Sequence, residues 1–188
     1  MSPKTKLAAM MALFIVPTLA SFVVFYFFPP EKSTNYGTLI APVVALPQEK
    51  FVRLDGASGE AIDAIKGKWL MVMRNSGACE DACKQRLTVM KQARLILGRE
   101  QDRVVRVVLV EDGRAPDPET SQAFSGTLWI DAKSSAWKEK LPVNATARDE
   151  RIYGVDPLGN AFIFYGANPD IKRLANDFRR VLKASQIG

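Results

Sequence analysis

A run of 22 uncharged residues, Leu7–Phe28, lies close to the amino terminus and limits the structures open to this part of the chain. At about 1.5 Å per residue, a helix over this run is about 33 Å long, enough to cross the hydrocarbon core of a bilayer. Pro17 lies inside the run, and membrane helices tolerate such a proline. We therefore predict a membrane anchor over residues 1–30, a tether over 31–48 and one soluble domain over 49–188.

Charges on the two sides of the apolar run predict its orientation. Lys4 and Lys6 precede it, whereas Glu31 and Lys32 cancel behind it. The positive-inside rule then keeps the amino terminus in the cytoplasm, so that the soluble domain is exported. We expect a single-pass protein of an inner membrane with its domain on the periplasmic side. A cleaved secretory signal is the alternative, but the run is longer than a signal core of about 7 to 15 residues and no A-x-A-like site follows it.

Composition excludes several classes of site. The chain has no histidine, which removes His-based zinc sites, Cys–His pairs and Ser-His-Asp triads. The net charge is +6, but the basic residues are scattered and form no dense block. This distribution fits a surface near anionic lipid, so we expect a membrane partner and no nucleic acid.

The middle of the chain reads as strand, cysteine loop, helix and strand. Residues 69–73 are apolar, and a helix begins near Cys83 and ends near Gly98, whose missing side chain suits a helix end. Residues 104–110 are β-branched and apolar, as in a strand covered on both faces. The predicted helix places four apolar side chains on one face: Leu87, Met90, Ala93 and Leu97.

The second half continues with a polar loop over residues 111–126 and a short strand at 128–130. A Pro/Gly turn between two apolar runs, 152–155 and 161–165, predicts an antiparallel hairpin. A final helix follows, for which we predict Asn168 as the cap and Pro169 as the first residue. A parallel β-α-β unit followed by a hairpin and a helix predicts an α/β, thioredoxin-like sandwich.

The only two cysteines, Cys79 and Cys83, are four residues apart at the start of the predicted helix. If both cysteines lay in regular helix, their Cβ atoms would be about 5 to 6 Å apart, which is too far for an unstrained disulfide. A disulfide between them therefore requires Cys79 to lie in the loop or in a distorted first turn. The pair can thus be a dithiol, a disulfide or a soft-metal site suited to Cu(I). Because Glu80, Asp81 and Lys84 flank the pair, we expect the two sulfurs to be exposed to water.

The cysteines and the residues near them also have purely structural interpretations. A structural disulfide fits an oxidising compartment, although a five-residue loop gains little from closure. Reduced, inert cysteines in the core are a further alternative, against which the polar flanking residues argue. Asp81 could accept a thiol proton, but a solvated carboxylate at a helix start is commoner. Three methionines near the cysteines, Met71, Met73 and Met90, are interpreted as core packing and not as copper ligands.

These motifs, taken in order, resemble the Sco/SenC family of membrane-anchored, thioredoxin-like proteins that help to assemble the copper centre of cytochrome c oxidase. The resemblance covers roughly residues 50–188. It comprises Gly67-Lys68-Trp69 before the central strand, the Cys-x-x-x-Cys of Cys79 and Cys83, and the hairpin Tyr153–Gly159. The chain departs from the family at Glu80 and Lys84, where the family has prolines, and at Arg148, where it has a copper-binding histidine.

The resemblance implies a thiol-disulfide protein that acts on an oxidase subunit or its assembly factors, with Cys79 attacking and Cys83 resolving. It leaves two alternatives, a Cu(I) chaperone that binds copper through the same cysteines and a non-catalytic assembly scaffold. A peroxidase that oxidises Cys79 is a third alternative.

Overall fold

The structure is a computed structural model that describes residues 3–27, 35–56, 60–142, 150–185 and 187. The chain divides into two units, Met1–Thr34 and Asn35–Gly188. The first contains helix α1, Pro3–Phe27, which passes through Pro17 without ending. Within the described ranges, α1 is the one helix long and apolar enough to cross a membrane.

The second unit is built on a six-stranded mixed sheet in the order β1-β6-β5-β2-β3-β4. Strands β2, β3 and β4 are parallel, whereas β5, β6 and β1 are antiparallel to their neighbours. The predicted β-α-β unit and the predicted hairpin are both present. The strands are β1 Thr38–Ala45, β2 Trp69–Asn75, β3 Val104–Val110, β4 Thr127–Asp131, β5 Ile152–Val155 and β6 Asn160–Tyr165.

Helices cover both faces of this sheet, which confirms the predicted thioredoxin-like sandwich. Side chains of α3 and α6 share one core with alternate residues of β2, and side chains of α2 and α5 share a second core with the other residues of β2. This division follows from the alternation of side chains along a strand. The helices of the domain are α2 Ala61–Ile65, α3 Asp81–Ile96, α4 Pro118–Ala123, α5 Ala136–Lys140 and α6 Ile171–Ala184, with a 3₁₀ helix at Gly98–Arg103.

The segment predicted as a tether, residues 31–48, is in part a strand of the sheet. Thr38 pairs with Phe164 and Ala45 with Asn160, so β1 forms an edge of the sheet beside β6. Pro42 lies within β1, a position that an edge strand tolerates because its outer amides need no partner in the sheet. The opposite edge, β4, receives a bridge from Arg53 to Ile130.

Two short helices are absent from the prediction, and the final helix begins two residues later than predicted. The polar stretch 111–126 contains α4, whose first turn is capped by Asp117. A second short helix, α5, is capped by Ser135, and both helices are too short to show a helical apolar period. The final helix begins after Asp170, not Asn168, because the Asp170 Oδ1 accepts a hydrogen bond from the Arg173 amide at 2.8 Å. Pro169 therefore precedes the cap.

Candidate functional site

The two cysteines lie where the carboxyl end of β2 passes into helix α3. They form a disulfide with a Cα–Cα distance of 5.0 Å. Since α3 begins at Asp81, Cys79 lies outside the helix, as a bond between residues four apart requires. Its φ of 40° is left-handed, a conformation that costs a residue with a side chain about 1–2 kcal/mol. Because of this turn, the Cys79 sulfur reaches Cys83.

The expected exposure of the sulfurs is wrong, because both cysteines are buried. The exposed fraction is 0% for Cys79 and 1% for Cys83. The polar neighbours Glu80, Asp81 and Lys84 are exposed on the outer side of the same turn. The disulfide joins both sulfurs on one side of the turn, which here is the core side. The polar residues from which exposure was predicted therefore lie on the side of the turn that faces away from the sulfurs.

The disulfide belongs to the apolar core that α3 and α6 form with the sheet. The three methionines of this core, Met71, Met73 and Met90, each have an exposed fraction of 0%. Their burial within this cluster agrees with the interpretation of these residues as packing. Folded and oxidised, the protein offers a soluble partner no direct path to the sulfurs.

One carboxylate connects the cysteine loop, residues 76–80 between β2 and α3, to the loop after β3. The Asp112 Oδ1 accepts a hydrogen bond from the Gly77 amide at 2.9 Å and another from the Arg114 amide at 3.2 Å. Desolvation acts to raise the pKa of Asp112, but these amide hydrogen bonds outweigh it and hold the pKa below its usual value. On the cysteine side, the Cys79 amide donates to the Ser76 carbonyl at 3.3 Å.

Polar side chains gather around the same end of the sheet. Arg74 donates to Glu111 from Nε at 2.8 Å and from Nη2 at 2.6 Å. Arg86, buried on α3, donates from Nη2 to the Asn75 Oδ1 at 2.9 Å. The sequence singles out none of Asn75, Glu111 and Asp112, because only the parallel pairing of β2 with β3 brings them together.

A copper site of three ligands does not fit the described residues. Within them, no group of three His, Cys, Asp or Glu side chains is placed to hold a metal ion. Cys79 and Cys83 are bonded to each other, so they present thiolates only after reduction, and then two sulfurs, a set suited to Cu(I). Arg148, where the resemblance to the Sco/SenC family places a histidine, lies outside the described residues.

Solved structures of the Sco family share this fold. The domain is similar to yeast Sco1, with 16% identity over 75% of this chain and 96% of that chain and a TM-score of 0.58. It is similar to copper-bound ScoI of Arabidopsis thaliana, with 19% identity, coverage of 79% and 99%, and a TM-score of 0.55. It is also similar to BsSco, with 14% identity over 78% of this chain and 96% of that chain and a TM-score of 0.53. BsSco has a disulfide switch and is described as a member of the Sco family of cytochrome c oxidase assembly proteins.

These likenesses show a Sco/SenC-like thioredoxin fold. No curated protein matches the sequence. A family model matches residues 69–185, the part that runs from the first residue of β2 through helix α6. Because this match covers more than half of the chain, the chain belongs to the family described as "Transmembrane-like, thioredoxin-like, C-terminal domain".

Proposed function

We propose that this protein is a membrane-anchored thiol-disulfide protein that assists assembly of the copper centre of cytochrome c oxidase. The observation that carries the proposal is the Cys79–Cys83 disulfide between β2 and α3 of a Sco-like thioredoxin fold. The solved Sco structures include copper-bound proteins and one with a disulfide switch, and these support the choice of client. The apolar helix α1 supports attachment to a membrane. Lys4 and Lys6 before the helix support a domain in the periplasm, by the positive-inside rule.

The proposed reaction begins with the reduced pair. The Cys79 thiolate attacks a disulfide sulfur of the oxidase subunit, which forms a mixed disulfide and releases one client thiolate that takes up a proton. The Cys83 thiolate then attacks the Cys79 sulfur, breaks the mixed disulfide and releases the second client thiol. Two electrons pass to the client, and the protein is left with the Cys79–Cys83 bond. A dithiol donor of the periplasm restores the reduced pair.

Burial of the pair requires the cysteine loop to open before each exchange. The disulfide closes a loop of only five residues, which contributes about 2 kcal/mol in the chain-entropy model. A domain of this size has a free energy of unfolding of about 5–15 kcal/mol, so we expect it to stay folded when the pair is reduced. Reduction and local opening are therefore compatible with an intact fold.

The reduction potential of the full chain in detergent micelles tests the redox proposal. A working pair should lie above about −300 mV, whereas a bridge that only stabilises the fold should lie below it. Equilibration with glutathione or dithiothreitol buffers, followed by alkylation of free thiols, gives the value. A potential near −350 mV would remove the redox role and leave the disulfide as a structural element.

A strain that carries Cys79→Ser and Cys83→Ser tests the cellular role. Loss of oxidase activity and of its copper centre is expected, with the variant protein still present in the membrane fraction. Val72→Ala is the matched control, because Val72 is fully buried in the other core and its truncation costs about 2 kcal/mol without touching the cysteines. Full oxidase activity in the double serine strain would contradict the role and favour a scaffold.

Delivery of Cu(I) by the same two sulfurs is the second candidate function. It is favoured because the two sulfurs are adjacent, as their disulfide shows, and could both bind one ion after reduction. The reduced full chain is titrated with Cu(I) and with Cu(II) in micelles under argon. Tight binding of one Cu(I) that disappears in Cys83→Ser supports delivery, since soft thiolates select the monovalent ion. No binding, together with a working redox potential, supports thiol exchange alone.

A further inference from the structure

The loop that carries Cys79 is fastened to a second loop, Glu111–Asp117, by one side chain. Asp112 reaches across from the end of β3 and accepts the Gly77 amide at 2.9 Å. The same Oδ1 atom accepts the Arg114 amide of its own loop at 3.2 Å. A single carboxylate oxygen thus bonds to the backbones of both loops at once.

The two loops also touch directly at Gly77. A Cβ built on Gly77 would lie 2.0 Å from the Arg114 carbonyl oxygen, so only glycine allows the backbones to approach this closely. Gly77 is buried and lies two residues before Cys79, inside the turn in which the Cys79 amide bonds to Ser76. Separating the loops at Gly77 therefore moves the segment that holds the Cys79 sulfur.

We propose that Asp112 is a positioning residue that holds the Cys79 loop closed over the disulfide and thereby sets how fast a dithiol reaches the Cys79 sulfur. This inference rests on the proposed function for its purpose, since it concerns access to the same sulfur pair. Asp112 does not touch the sulfurs in the reaction. It acts through the Gly77 amide.

The step that Asp112 controls is attack by a dithiol of the periplasm on the oxidised pair, which requires the loop to open. When the loop opens, a thiolate of the donor attacks the Cys79 sulfur, the Cys79–Cys83 bond breaks, and Cys83 leaves as a thiolate that takes up a proton. The second thiol of the donor then displaces Cys79, which is protonated in turn. The donor leaves as a disulfide, and two electrons have entered the pair.

Reduction kinetics of the oxidised full chain in micelles test this proposal, with dithiothreitol as the probe and alkylation of free thiols as the readout. Asp112→Ala removes both amide hydrogen bonds, and we expect reduction roughly tenfold faster than in the unaltered chain. Asp112→Asn keeps a carbonyl oxygen at the same place, so its rate should lie close to that of the unaltered chain.

Asp156→Ala is the matched control. Asp156 Oδ1 also accepts two backbone amides, from Leu158 at 2.9 Å and Asn160 at 2.8 Å, but in the hairpin turn at the opposite end of the sheet. We expect this variant to be reduced at the unaltered rate. Equal acceleration in Asp156→Ala and Asp112→Ala would overturn the proposal, because the effect would then reflect general loss of stability.

One further measurement distinguishes local opening of the Cys79 loop from global unfolding of the domain. If opening is local, the reduction rate of Asp112→Ala changes little in dilute urea, whereas a steep increase would indicate global unfolding and overturn the proposal. An unaltered rate in Asp112→Ala would overturn it as well. These rates do not depend on the oxidase, so failure of the proposed function appears separately, as normal oxidase activity in the double serine strain.

Discussion

At the residue scale, Arg106 is a buried cation whose hydrogen bonds are incomplete. It lies on β3 with an exposed fraction of 4%, and its Nη2 donates to the Ser125 carbonyl at 2.7 Å. Its buried Nε and Nη1 atoms have no hydrogen-bond partner among the described residues. Burial, and then the charge of Arg94, lower the pKa of Arg106 to about 10. The folded state therefore carries a desolvated, incompletely bonded cation.

Replacing Arg106 by an apolar side chain of similar length should stabilise the protein. We expect Arg106→Met to raise the free energy of unfolding by about 1 kcal/mol, because it removes the cost of burying the charge. Urea unfolding of the full chain in micelles measures the change. Arg53→Met is the control and should lower stability, since Arg53 donates to Asp55 from Nε at 3.0 Å and Nη2 at 2.7 Å. A loss of similar size in both variants would contradict the expectation.

At the element scale, a buried carboxylate attaches the start of the domain to helix α6. The Asp177 Oδ2 accepts the amides of Tyr36 and Gly37, both at 2.9 Å. The Arg173 guanidinium stacks over the Tyr36 ring at 4.2 Å, and the Tyr165 hydroxyl lies 3.5 Å from the same Asp177 oxygen. Burial, and then the Asp177 charge, raise the pKa of Tyr165. These contacts hold the residues that lead into β1.

Removing the Asp177 carboxylate should free the backbone of Tyr36 and Gly37, the segment that leads into β1. Asp177→Ala leaves the Tyr36 and Gly37 amides without their acceptor, and we expect the free energy of unfolding to fall by about 2–3 kcal/mol. Tyr165→Phe removes only a long hydrogen bond and should cost less than about 1 kcal/mol. Hydrogen exchange at Tyr36 and Gly37 should accelerate in the first variant alone. Slow exchange in Asp177→Ala would show that other contacts hold the segment.

The start of α6 gives a test that separates the structure from the sequence-based prediction. Asp170→Ala should lower the free energy of unfolding by about 1 kcal/mol, because it removes the cap on the Arg173 amide. Asn168→Ala should leave stability unchanged within about 0.5 kcal/mol, as expected of an exposed site outside the helix. Thermal unfolding of both variants decides between the two assignments of the cap.

At the scale of the whole molecule, the proposed topology can be tested by fusion to a reporter. Alkaline phosphatase joined after Gly188 should be active, because the enzyme matures only in the periplasm. Lys4→Glu with Lys6→Glu removes the positive charges on which the proposed orientation rests and should lower this activity. A green fluorescent protein fusion that is bright at the same position would contradict a periplasmic domain.

The sequence predicted the elements whose pattern is local, and missed the contacts that depend on pairing between distant segments. β2, α3 and β3 follow from apolar periodicity, so the strand-cysteine-helix order was predictable. The strand character of β1 depends on Phe164, more than a hundred residues away, and the bonds of Asp112 to Gly77 depend on the β2–β3 register. Burial of the cysteines depends on which side of the first turn faces the sheet.

The β1 edge of the sheet has a consequence for contact between copies of this protein. The outer edge of β1 is uncharged and largely exposed, the kind of edge on which strands from other molecules add. Pro42 has no amide hydrogen to offer such a strand, and the irregular register between Leu39 and Val44 interrupts a continuous ladder. Copies crowded together should therefore resist edge-to-edge aggregation, even though no lysine or glutamate guards that strand.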